Sequence, residues 1–313
     1  MKISERASAI GASPTLAISA RARELKTSGE PVIDFGLGEP DMPTPANICE
    51  AGKRAIDEGK TRYTPASGMK ELKEAICAKL SRENGLSYEP GQVIVSCGAK
   101  FALYGVIQAM IDPGDEVIVP APYWVSYCPQ VSLAGGVPVS LLSGPESSFK
   151  LSPDALAEAV TEKTRLIIIN SPCNPTGMVY SREEAEALAE VIVAKDIAVI
   201  SDEIYEHTLY DGRETVSLAG LSDEMYARTI TINGHSKGYR MTGWRIGYAA
   251  GDKDVVAAAG RIQSQSTSGP ATMCQWAALE ALSGDQSSVG EMRSEFDRRR
   301  KALTEALNAI DGV

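Results

Sequence analysis

Runs of Val and Ile that are apolar at successive positions punctuate the chain at Val93–Ser96, Glu116–Pro120, Val137–Leu141, Leu166–Asn170, Ile197–Ser201, Thr229–Ile232 and Arg245–Ala249. Several lack the apolar–polar alternation of a half-exposed strand, so they predict strands covered on both faces. Longer amphipathic stretches lie between them and predict helices at Gly68–Asn84, Lys100–Ile111, Pro153–Val160, Ser181–Ala194 and Asp252–Ser264. Ser181-Arg-Glu-Glu184 has the spacing of a capping box, which would start its helix. Strand and helix alternate, which implies an α/β fold on a mostly parallel seven-stranded sheet with helices on both faces. Residues 1 to about 40 read as an element outside the sheet, crossing it through the turn-rich Gly36-Leu-Gly-Glu-Pro-Asp-Met-Pro43.

Ligands of such sheets collect at the carboxyl ends of the strands, so the residues just after each apolar run are the ones to read for chemistry. Val93–Ser96 leads into Cys97-Gly98-Ala99-Lys100 at a helix start, where backbone amides can receive an anion. Glu116–Pro120 leads to Tyr123 and Trp124, Leu166–Asn170 to Asn174, and Ile197–Ser201 to Asp202 and Tyr205. Thr229–Ile232 leads into Gly234-His-Ser-Lys-Gly-Tyr-Arg-Met-Thr-Gly-Trp-Arg-Ile-Gly247, which carries Lys237 and, on a glycine-bounded turn, Arg245. A lysine amine condenses with aldehydes to form a Schiff base, and a guanidinium grips phosphate through two parallel hydrogen bonds. Together they describe a pocket for a phosphorylated aldehyde, of which pyridoxal 5′-phosphate is the biological example.

The chain has 313 residues and a formal net charge of −10, which argues against nucleic acid as the main partner. Six scattered cysteines without a Cys-x-x-Cys pair, and only two histidines, offer no dense metal cluster. No apolar stretch reaches the length of a membrane span and the N-terminus lacks a signal-peptide core, so a reduced, cytoplasmic protein is expected. Ser96-Cys-Gly-Ala-Lys100 is not a nucleotide-binding P-loop, and His207 lacks the serine and acid context of a hydrolase triad.

The chain is similar throughout to the class I pyridoxal-phosphate-dependent aminotransferases, in particular the aspartate and aspartate/prephenate branch. The resemblance rests on Gly38-Glu-Pro-Asp41, Tyr63-Thr-Pro-Ala-Ser-Gly68, Asp112-Pro-Gly-Asp-Glu-Val117, Pro122-Tyr-Trp-Val-Ser-Tyr127, Asn170-Ser-Pro-Cys-Asn-Pro-Thr-Gly177, Ser201-Asp-Glu-Ile-Tyr205 and Met241-Thr-Gly-Trp-Arg-Ile-Gly-Tyr248, in that order. It implies the fold type I pyridoxal-phosphate transferase architecture. An N-terminal arm with part of a small domain (1–44) would precede a large cofactor domain (45–284) and the start of a C-terminal small domain (285–313). It implies Lys237 as the cofactor-linked base, Asp202 as partner of the ring nitrogen, and Tyr205 with Asn174 on the ring oxygen. Trp124 would stack on the ring, with Gly98, Ala99, Lys100, Ser236 and Arg245 around the phosphate. Tyr63 would reach the partner subunit's cofactor, implying a homodimer with shared sites. Gly38 would meet the substrate α-carboxylate through its backbone. Thr15 and Lys100 would read the distal carboxylate, with Trp124 and Asn174 also on the substrate. The implied reaction is ping-pong transfer of an amino group between aspartate or glutamate and 2-oxoglutarate, oxaloacetate or prephenate.

The arginine that in this family forks onto the substrate α-carboxylate has no counterpart here, and it is expected in small-domain sequence beyond Val313. From about residue 285 the chain reads as a basic helix, Arg298-Arg-Arg-Lys301, with nothing to pack into. His235 and Arg240 depart from the small or apolar residues expected beside the lysine. Plainer readings stay open: Trp124 as a core aromatic, Asp202 and Tyr205 as helix caps, Asn174 as a turn former between prolines, and Tyr63 as ordinary packing. A lyase or synthase on the same cofactor, and a cofactor-binding protein without turnover, also remain.

Overall fold

The computed structural model describes residues 1–11, 14–36 and 38–312. The first half of the described chain runs α1 (Glu5–Ser8), α2 (Pro14–Thr27), α3 (Ala46–Asp57), α4 (Lys70–Asn84), β1 (Val93–Cys97), α5 (Ala99–Met110), β2 (Glu116–Ala121), α6 (Tyr127–Leu133) and β3 (Val137–Leu142). It continues α7 (Pro153–Ala159), β4 (Thr164–Asn170), α8 (Arg182–Ala194), β5 (Ala198–Asp202), α9 (Asp223–Arg228), β6 (Thr229–Gly234), β7 (Ile246–Ala250), α10 (Lys253–Ser264), α11 (Thr272–Ser283) and α12 (Ser287–Asn308). Ser181 caps α8 as its spacing predicts: its side chain accepts from the Glu184 amide while the Glu184 carboxylate accepts from the Ser181 amide.

The seven strands form one sheet in the order β1-β7-β6-β5-β4-β2-β3. Pairing is parallel from β6 through β5, β4 and β2 to β3, whereas β7 runs antiparallel to both its neighbours. Helices cover both faces. Val106 and Ile107 of α5 and Ala259 of α10 pack with Ile94, Val119 and Ile168 on one face, and Leu188 and Ile192 of α8 pack with Ile118, Ile167 and Val199 on the other. A third cluster joins Leu72 and Ile76 of α4, Ile48 of α3 and Ala277, Ala278 and Ala281 of α11 to Val95 and Tyr248. Each fully buried Ile or Leu contributes about 1.5–3 kcal/mol by removal from water.

Two expectations need correction. Arg245 is not the first residue of a strand but sits before β7 in the left-handed region, φ 56°, closing the turn Thr242–Trp244. Its neighbours Ile246 and Gly247 satisfy the ladder, leaving the arginine free to turn out of it. The basic run on α12 does have partners: Arg299 pairs with Asp41 and Glu295, Arg300 with Asp211 and Asp297, and Lys301 with Asp297. Met292 of the same helix is buried. No described helix is long and apolar enough to cross a membrane, and all six cysteines are free thiols.

Gly247 sets how closely α5 approaches the sheet. A Cβ there would lie 2.6 Å from the Ala99 Cα and closer still to the Ala99 nitrogen, so the first turn of α5 rests on bare backbone. Gly290, inside α12, has open space around its Cα. Gly247→Ala should therefore cost about 1–3 kcal/mol in chemical denaturation, as overpacking does. Gly290→Ala should instead stabilise the chain by up to about 1 kcal/mol. Equal effects of the two substitutions would contradict this packing.

Candidate active site

Because β7 is antiparallel, the residue before it stands beside the carboxyl ends of the other strands. Cys97 of β1 is opposite Ile246, so Arg245 lies next to the start of α5. Gly98 joins β1 to α5 with φ +84°, a conformation that favours glycine. A Cβ on it would lie 2.9 Å from the Arg245 Cζ, so the guanidinium lies directly against the Gly98 backbone. The first amides of a 12-residue helix have no intrahelical acceptors, and beside a guanidinium they make an anion cup. Arg245 is steadied by donating from Nη1 to the Thr242 carbonyl at 2.7 Å. Cys97, Lys100, Phe101, Tyr104, Gln130 and Arg245 line an adjoining cleft of about 370 Å³.

Lys237 follows β6, half-buried, with Ser236 half-buried beside it. Its Nζ donates to the Gly38 carbonyl at 2.7 Å and lies 5.7 Å from the Tyr205 ring centre. Burial holds its pKa below the usual lysine value; Glu39 works against that shift and the Arg245 cation adds to it. Lys100, on the first turn of α5, places Nζ 4.8 Å from the centre of the Trp124 ring, and its pKa is also lowered, by burial and by Arg245.

Asp202 ends β5 with its carboxylate buried. The Tyr127 hydroxyl donates to it at 2.7 Å and the Ile204 amide at 3.3 Å; neither is a cation. Burial pushes its pKa up to about 6 even though both hydrogen bonds pull it down. Trp124 stands edge-on to Tyr127, centroids 5.4 Å apart, so the wall around Asp202 is aromatic. The Asn174 amide donates to the Tyr205 hydroxyl at 3.4 Å, and burial followed by the Asp202 charge raises that phenol to about 12. Asn170, at the end of β4, ties this edge together: its Nδ2 donates to the Asp202 carbonyl at 2.9 Å and its Oδ1 accepts from the Asn174 amide at 2.8 Å. The peptide bonds before Pro172 and Pro175 on either side of Asn174 are cis.

The structure thus gathers Gly98, Ala99, Lys100, Trp124, Asn174, Asp202, Tyr205, Ser236, Lys237 and Arg245 at one edge of the sheet, and Gly38 joins them through its carbonyl. Tyr63 is fully exposed, at 100%, and meets none of them within the chain. Thr15 belongs to α2, but its side chain lies outside the described residues. His235 is buried beside Tyr239 and Tyr248, with its pKa driven down to about 3 by burial. Arg240 ties the N-terminal crossing to α12 through the Met42 sulfur and the Ser288 carbonyl. Sequence reasoning missed Tyr127 and Gly247. A tyrosine closing the Pro122–Tyr127 motif and a glycine inside an apolar run were the signals available.

Comparison with known proteins gives the class, an enzyme of amino-group transfer. The chain belongs to the family described as aminotransferase class I and II, whose model matches residues 30–313. It is 50% identical over 312 residues to the aspartate aminotransferase of Geobacillus stearothermophilus, covering 100% of this chain and 79% of that protein. It is also 50% identical to the aspartate/prephenate aminotransferase of Cereibacter sphaeroides, over 99% of this chain and 78% of that one. Among solved structures, the aspartate aminotransferase of Thermus thermophilus with maleate superposes with a TM-score of 0.96 at 46% identity, covering 99% of this chain and 81% of that one.

Asp202 generates a prediction about pH. Its folded pKa, about 6, lies above the ordinary 3.8, so the folded chain binds this proton more tightly than the unfolded chain. Ionisation therefore costs stability above pH 6, and the cost disappears as pH falls below about 4. In cofactor-free protein, Asp202→Asn should gain about 1–3 kcal/mol at pH 7.5, with the gap closing by pH 4. A variant less stable than wild type at both pH values would contradict the assignment.

Proposed function

We propose that this site holds pyridoxal 5′-phosphate and that the chain moves amino groups between an acidic L-amino acid, aspartate or glutamate, and 2-oxoglutarate or oxaloacetate, with prephenate as a further acceptor. The observation that carries the reading is a pair of charges at one sheet edge that find no counter-charge among the described residues. The buried Asp202 carboxylate is met by neutral donors alone, and the Arg245 guanidinium faces a helix start, positive against positive. A molecule with a protonated ring nitrogen and a phosphate complements both. When bound, it brings an aldehyde that accepts an amino group and a ring that draws electrons from the substrate's α-carbon.

The chain's own groups have separable tasks in this reading. Arg245 and the amides of Ala99 and Lys100 hold the phosphate, with Gly98 and Ser236 beside them; the Gly98 amide itself donates to the Ser96 carbonyl at 2.7 Å. Asp202, kept ionised by the Tyr127 hydroxyl, holds the proton on the ring nitrogen. Tyr205 and Asn174 hold the ring oxygen, and Trp124 excludes water from the ring face. Lys237 provides the amine for attachment. Its depressed pKa leaves more free base at neutral pH, which suits it to take a proton from the substrate α-carbon. Lys100 Nζ and Thr15 are assigned to the distal carboxylate and Gly38 to the α-carboxylate.

The reading extends to assembly. Tyr63, exposed at 100%, is free to enter the site of a second copy, which supports a homodimer with shared sites. Residues 45–284 form the cofactor domain in this proposal. Segments 1–44 and 285–313 belong to a smaller unit, supported by the Arg299–Asp41 pair that joins them.

Borohydride treatment of the cofactor-loaded protein should fix a pyridoxyl label on Lys237, located by peptide mapping, and L-aspartate added beforehand should diminish the label. Lys237→Ala should abolish the label while the fold is retained. A label on Lys100, or labelling that survives Lys237→Ala, would overturn the assignment.

A further inference from the structure

The segment Asp202-Glu-Ile-Tyr-Glu206 divides its side chains between two sides. Asp202 and Tyr205 enter the site, while Glu203 and Glu206 are buried behind it. There they meet Lys79 of α4, an amphipathic-helix lysine that is nevertheless only 1% exposed. The Lys79 ammonium donates to a Glu206 oxygen and, at 2.8 Å, to Asn84 Oδ1. Glu206 also accepts from Asn233 Nδ2 at 2.6 Å and from Asn84 Nδ2 at 2.9 Å. Glu203 accepts from Ser201 Oγ at 2.8 Å, Ser217 Oγ at 2.7 Å and Asn84 Nδ2 at 3.2 Å. Burial pushes the Glu206 carboxyl up, but Lys79, helped by His207 and Asn84, outweighs it and keeps the carboxyl below its usual range.

Glu83, Glu206 and His207 bring ligand atoms within 4.8 Å of one another, the one grouping of its kind among the described residues. The Lys79 ammonium pairs with both of these carboxylates and so supplies them with a positive charge.

The cluster joins three elements. Glu206 belongs to the loop carrying Asp202 and Tyr205, Asn233 lies at the end of the strand that leads to Lys237, and Lys79 anchors both to α4. We propose that Lys79 and Glu206 are positioning residues, a buried ion pair that fixes the Asp202–Tyr205 loop against the strand end bearing Lys237. The proposal rests on the cofactor reading above. Stability alone does not call for such a pair, since apolar residues of similar volume commonly replace buried ion pairs without loss. Backbone pairing fixes the register against β6 as far as the bond from the Glu203 amide to the Ile232 carbonyl; what an apolar pair cannot reproduce is the hydrogen bond from Asn233 that ties the far end of the loop, at Glu206, to β6.

That difference supplies the test. Pyridoxal 5′-phosphate is titrated into apo wild type, Glu206→Gln and the double variant Lys79→Met/Glu206→Leu. Dissociation constant, melting temperature and the pH midpoint of the bound cofactor's visible band are read for each. The double variant should melt near wild type yet bind about ten-fold more weakly with a displaced midpoint, because the far end of the loop has lost its tie to β6. Glu206→Gln, which keeps the side chain's shape, should shift the affinity and the midpoint in the same directions by less, and it decides the matter if the double variant does not fold. Wild-type affinity and midpoint in a folded variant would overturn the positioning role. Failure of wild type itself to bind would instead overturn the cofactor reading, and this inference with it.

Discussion

A buried carboxylate that meets no cation among the described residues is the constraint around which this protein is arranged. Asp202 is out of water, and its partners are a phenol and a backbone amide. Neutral donors reduce the cost of burying a charge but do not cancel it, and the pKa near 6 measures what is left. Much of the surrounding structure serves that one group: Tyr127 from α6 donates to it, Asn170 from β4 holds its carbonyl, and Trp124 closes the wall. A carboxylate that costs stability on its own is well placed to bind a cation tightly.

The sheet topology answers the opposite requirement, for positive charge. Six strands, β1 to β6, run in one direction and deliver their loops to one edge. A seventh strand of that direction in the place of β7 would have brought its end, not its beginning, to that edge. Reversing β7 brings Arg245 there instead, and Gly247 lets the first turn of α5 lie against it. The left-handed backbone at Arg245 and the φ of +84° at Gly98 thus bring a guanidinium against the start of α5, the place the proposed function gives to a phosphate.

Most of the sheet was legible in the sequence because buried parallel strands are written as uninterrupted Val and Ile. The loops after them were legible because Lys237, Asp202, Tyr205 and Asn174 stand soon after such runs. Helix α11 was not read, since its buried positions are largely Ala and carry little periodic signal; α3 was not read although its apolar positions do fall on one face. Arg245 was assigned to the strand because an apolar run does not mark which residue first enters the ladder. Lys79 reads in sequence as one more solvated helix lysine; only the tertiary fold brings Glu206 to it. Arg299 and Arg300 on α12 have partners one turn away, Glu295 and Asp297, but Asp41 and Asp211, which tie the helix to the rest of the chain, are likewise distant in sequence.

The role given to Asp202 can be isolated by changing one atom of the ligand. Affinities of the apo-protein for pyridoxal 5′-phosphate and for its analogue with carbon in place of the ring nitrogen are compared, in wild type and in Asp202→Ala. A carboxylate that reads a ring cation requires wild type to prefer the nitrogen-bearing ring by about ten-fold or more, and the alanine variant to lose that preference. Equal binding of the two rings by wild type would show that the buried charge at 202 serves some other purpose.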